Sequence, residues 1–64
     1  MKPFFYLRYL NILEVVGLFI KEGIACEVVP TDKEHARIHF ENDAIGDMAK
    51  RRLSFLKNVP IRRE

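Results

Sequence analysis

One cysteine, no tryptophan, three isolated glycines and two aliphatic hydroxyls leave little chemistry in this chain. Cys26 alone excludes an internal disulfide, and no Cys/His cluster has metal-ligand spacing. Gly17, Gly23 and Gly46 stand apart, which excludes a glycine-rich phosphate loop. Thr31 and Ser54 lie in no nucleophile motif, and Cys26 falls among apolar residues, where a thiol is inert. His35 and His39 suggest a metal, but on a strand they stand about 13 Å apart at 3.3 Å per residue and cannot share one ion. These shortages argue against an enzyme and imply no cofactor and no metal.

An uninterrupted apolar run is also missing. Arg8, Asn11 and Glu14 break the longest candidate, which argues against a transmembrane span. Met1-Lys2 followed by apolar residues up to Gly23-Ile24-Ala25-Cys26 faintly has the layout of a lipoprotein signal. The same three residues and Lys21-Glu22 sit where such a signal must be neutral. The expectation is a cytoplasmic protein with a reduced cysteine and no membrane partner.

What is present is a dominant N-terminal segment. Phe4–Glu22 fits a helix, with Phe5, Tyr9, Ile12, Leu13, Val16, Phe19 and Ile20 on one apolar arc. Pro3 suits a first helical turn, and Gly23 suits the left-handed residue that ends one. Gly17 lies inside, at about 1 kcal/mol relative to alanine, and close approach of a neighbouring backbone would explain it. The other side of this helix carries Phe4, Leu7, Val15 and Leu18 among polar residues. Phe4, Leu7, Asn11, Glu14 and Leu18 follow a three-four spacing like the seam of a helix pair, with Asn11 able to fix register. A helix that is apolar on both sides needs cover on both. Chains of 64 residues are short of core and use staples, metal or a partner. The sequence therefore predicts a homodimer through Phe4, Leu7, Asn11, Val15 and Leu18.

Ile24–Val29 is β-branched and partly alternating, with Ile24, Cys26 and Val28 on one face, and residues 30–34 form a polar turn. His35–Glu41 alternates, with Ala36, Ile38 and Phe40 inward and His35, Arg37, His39 and Glu41 outward. Thr31 and Glu34 also match a capping box, which would turn residues 31–41 into an extension of the second helix. The period of two favours a hairpin. Asn42-Asp43 caps a helix running to about Asn58, ahead of Pro60, and residues 61–64 form a mobile tail.

The charge is unevenly placed. Residues 22–47 carry seven acids against Lys33 and Arg37, whereas 48–63 carry six bases and no acid. Such a chain can pair with itself or offer its basic end to an acidic partner. Lys50, Arg51, Lys57, Arg62 and Arg63 are candidate phosphate contacts, unaccompanied by a helix-turn-helix, ribbon-helix-helix or RNA-sheet signature. Arg52 projects into the apolar arc of helix 2 and Glu14 onto the second side of helix 1, which predicts a buried Glu14–Arg52 pair. The whole chain, 1–64, reads as one small α+β domain in the order α-β-β-α, completed by dimerisation. Its expected work is binding, as a homodimeric regulator or adaptor for an unidentified protein partner. The alternative is a nucleic-acid-binding regulator using the basic C-terminal helix and tail.

Overall fold

In a computed structural model, which describes residues 2–53 and 61–63, the first helix starts five residues later than its apolar periodicity. Pro3–Arg8 is a strand, β1, and helix α1 covers Tyr9–Glu22. Strands β2 (Glu27–Pro30) and β3 (His35–His39), helix α2 (Asp43–Arg52) and the short strand β4 (Arg62–Arg63) follow. The order is thus β-α-β-β-α-β, not α-β-β-α. The sheet runs β2-β3-β1-β4, antiparallel throughout. Each β-α-β unit encloses a strand of the other, a split β-α-β arrangement.

The correction to the N-terminal segment has a physical cause. Phe5, Tyr9 and Ile12 happen to fall at helical spacing, but Phe5 and Leu7 also alternate with Tyr6 and Arg8. A two-stranded hairpin is marginal in water, and β3 needs a second neighbour. β1 supplies it over five residues, from Phe4 opposite His39 to Arg8 opposite His35. Pro3, expected in a helical turn, instead opens the strand, where its missing N–H is tolerated. Its carbonyl accepts from the Phe40 N–H at 3.0 Å.

α1 begins where the Tyr9 N–H donates to the Glu34 carbonyl at 2.8 Å. It ends, as expected, at Gly23, whose φ of 73° is left-handed. The hairpin also forms as read, although β2 starts at Glu27, and residues 31–41 do not extend a helix. Ala36, Ile38 and Phe40 point into the core. Asn42 caps α2, its Oδ1 accepting from the Ile45 N–H at 2.9 Å. The expected continuation from 54 to 58 lies outside the described residues. The expected mobile tail is corrected at 61–63: Ile61 packs on the core, and β4 pairs with Pro3 and Phe4.

Both helices lie on one side of the sheet. Phe5, Phe19 and Phe40 meet edge to face, at 5.4 and 5.6 Å between centroids, and tie β1, α1 and the end of β3 together. The inner side of α1 is Ile12, Val15 and Phe19. Leu13 and Ile20, expected in the core, are exposed, because removing residues 4–8 from the helix rotates its apolar axis. No helix among the described residues is long and apolar enough to cross a membrane.

Candidate nucleic-acid interface

Placing both helices on one side leaves the other side of the sheet open among the described residues. Directly opposed residues of antiparallel strands share a face. Register therefore sets Phe4, Tyr6 and Arg8 of β1 beside His39, Arg37 and His35 of β3 on the open side. Val29 and Glu27 extend that side along β2, and Arg62 extends it along β4. Alternation in β1 is the local cause: Phe5 and Leu7 face the helices, so their neighbours face away.

The side chains are laid on one another. Tyr6 and His35 stack at 4.8 Å with 7° between planes, and Phe4 stacks on His39 at 5.2 Å. The Arg37 guanidinium sits 4.5 Å above the Phe4 ring, and that of Arg62 sits 5.6 Å from Tyr6. Phe4 is thereby covered, at 6% exposure, whereas Tyr6 remains 36% exposed. The result is a surface of aromatic planes and guanidinium groups, with its acids at the margins. Arg8 is partly balanced by Glu34 at 3.9 Å, a solvent-exposed pair of little energetic weight.

Asp32 fixes one end of this surface. Its Oδ1 accepts from the backbone N–H groups of Glu34 and His35, each at 2.8 Å, and lies 3.1 Å from the His35 ring nitrogen. Its Oδ2 accepts from the Tyr6 hydroxyl at 3.1 Å. The carboxyl is held down at about 2, first by the Glu34 N–H, with desolvation opposing as the next largest effect and His35 and Tyr6 lowering it further. A lowered carboxyl stabilises the fold above its unfolded value and ceases to do so as pH falls through its folded value. The turn is therefore expected to hold at pH 4 and to loosen between the ordinary 3.8 and about 2. The check is an NMR titration of the Asp32 carboxyl and the Glu34 and His35 amides. A common midpoint near 3.8 would show that Asp32 does not hold the turn.

The residues singled out from sequence are distributed otherwise. Phe4, Leu7 and Val15, expected at a dimer seam, are buried within the single chain. Leu18 packs against the core and Asn11 is half-buried. The seam does not exist as one helical stripe, because two of its members belong to β1. Glu14 is exposed, and Arg52 pairs at 2.6 Å with Glu22, both ends partly in solvent. The buried Glu14–Arg52 pair is thus corrected to a surface pair, since the later helix start carries Glu14 to the outer side of α1. Of the basic candidates, Lys50 and Arg51 are exposed on α2 and Lys57 lies outside the described residues. Arg63 pairs with Pro3, and Arg62 alone of the five is shown against the aromatic face. His35 and His39 serve as stacking partners, and the described residues contain no group of three fit for a metal.

Phe4, Tyr6, Arg8 and Arg37 were not recognised as one surface from sequence. The signal was present in the alternation of Phe4-Phe5-Tyr6-Leu7-Arg8, which helical spacing overrode. No protein family, no curated protein and no solved structure matches the chain.

Proposed function

We propose that the chain is a non-catalytic binding module that takes single-stranded nucleic acid across the open side of its sheet. The observation that carries this is the Arg62–Tyr6–His35 stack on a face that no helix among the described residues covers. Unpaired bases stack on aromatic rings and guanidinium planes whatever their sequence, while arginines track the phosphates. Arg8, Arg37 and Arg62 supply the positive charge, and the acids Glu27, Asp32 and Glu34 lie towards an edge or a turn. A duplex hides its base faces and is the poorer ligand. The non-catalytic part of the proposal is supported by Cys26, whose thiol is raised by burial and so kept from the reactive thiolate.

The test is fluorescence anisotropy with short single-stranded RNA and DNA and a matching duplex. Tyr6→Leu keeps a β-compatible side chain and should weaken single-strand binding by roughly 5- to 100-fold, the value of one stacked base. Arg62→Ala should weaken binding to all single strands alike and lower the salt slope by about 0.7. Binding lost in Lys50→Ala and Arg51→Ala but unaffected by Tyr6→Leu and Arg62→Ala would move the site to α2. No single-strand binding at low salt would end the proposal. A protein-binding role is favoured by a separate observation, the apolar outer side of α1.

A further inference from the structure

Leu10, Leu13 and Ile20 stand on the outer side of α1, at 85%, 86% and 74% exposure. Gly17 falls between them at helical spacing, and a Cβ added there would meet nothing within 4 Å. Gly17 weakens the helix relative to alanine, yet no neighbour among the described residues requires the space. Close approach of a backbone from outside would use it.

We propose that this side of α1 joins two copies of the chain as an antiparallel helix pair crossing at Gly17. The charges beside the stripe select the occupant. At 100° per residue, Glu14 and Lys21 flank Gly17 on one edge, and Leu13 and Ile20 flank it on the other. Neither Glu14 nor Lys21 is a member of the described ion pairs, Arg8–Glu34, Asp32–His35 and Arg52–Glu22.

A two-fold axis perpendicular to the helices brings like edges together and reverses their direction. Glu14 is three residues before Gly17 and Lys21 four after, so each Glu14 comes level with Lys21 of the second copy. On the other edge, Leu13 is four before and Ile20 three after, so those two also meet. Both edges are thus self-complementary about the same point. A parallel pair would join unlike edges and press Glu14 on Leu13 and Lys21 on Ile20, burying charge against apolar surface.

A groove of about 390 Å³ at the start of α1, lined by Arg8, Tyr9, Leu10, Leu13, Lys33 and Glu34, continues the stripe. It lies where the last turn of the second helix would run. Because α1 is on the side of the sheet away from Tyr6 and Arg62, the pair leaves both open faces outward. The proposal is independent of what binds those faces.

Sedimentation equilibrium of the full chain over roughly 1–100 μM tests it. The expected result is reversible association to the mass of two 7.5 kDa chains. Lys21→Glu, an exposed change, should raise the dissociation constant at least about tenfold by setting like charges together. Adding Glu14→Lys should restore it to within about threefold, since the swapped edge is again self-complementary. Gly17→Leu should block the crossing while leaving the circular dichroism of the monomer intact. A single-chain mass throughout the range overturns the proposal. So does a dimer indifferent to Lys21→Glu, or one that the charge swap fails to restore. Monomer bound to phosphatidylcholine vesicles and released by Leu13→Glu would assign the stripe to a lipid surface and likewise overturn it.

Discussion

Phe40→Ala is expected to leave the chain largely unfolded at room temperature. Phe40 is 1% exposed and meets both Phe5 and Phe19 edge to face, so one ring joins β3 to β1 and α1. Truncating a buried phenylalanine costs about 3–5 kcal/mol, partly as lost transfer energy and partly as the cavity left behind. A core in a domain this small supplies only about 3–5 kcal/mol in total. The two magnitudes are equal, so the variant has no margin. Far-UV circular dichroism and thermal melting would show it. Lys50→Ala, exposed on α2, is the control and should change stability by no more than about 0.5 kcal/mol. A Phe40→Ala variant melting within a few degrees of the parent would mean that the three-ring cluster is not the centre of the core.

Gly46→Ala is expected to destabilise, against the usual sign of that change. In a helix interior alanine is better than glycine by about 1 kcal/mol. Here the added Cβ would lie 2.8 Å from Ile61 Cδ1, 2.9 Å from Pro3 Cγ and 3.2 Å from Pro3 Cβ. The end of Ile61 can turn aside. The Pro3 ring cannot, because it is buried, fixed in φ and held in β1 between two paired strands. Overpacking of this kind costs about 1–3 kcal/mol, which exceeds the propensity gain. Chemical denaturation of Gly46→Ala beside Gly17→Ala, both in the Lys21→Glu background and at a concentration where sedimentation gives the single-chain mass, measures the contrast. Gly17→Ala enters open space and should stabilise. Stabilisation by both would show that α2 does not bear on Pro3.

The two glycines mark where local information ended. Gly23 was legible because a left-handed residue after an apolar helix has one ordinary role. Gly17 and Gly46 look alike in sequence, each an interruption of a helical period. Only the position of Pro3 and Ile61 makes one a contact and the other a gap.

The hairpin was legible for a similar reason. Ala36, Ile38 and Phe40 alternate with His35, Arg37 and His39, and a strand of period two has two assignable faces. The cap at Asn42 and the start of α2 followed from side-chain chemistry within three residues. By itself, then, the sequence determined the hairpin, the end of α1 and the beginning of α2, along with the scarcity of catalytic groups.

Tertiary structure decided what Phe4–Arg8 would be. Those five residues satisfy a helical period of three to four and a strand period of two, and nothing local separates the alternatives. The unpaired edge of β3 does, because backbone groups there gain partners only if β1 lies alongside. From that single choice follow the sheet order, the rotation of α1, the surface pairing of Arg52 with Glu22 and the open aromatic face. Arg62 joined that face for the same reason: the other edge of β1 also had hydrogen bonds to satisfy, and Arg62 lies 58 positions after its partner Phe4, beyond anything a local pattern could sense.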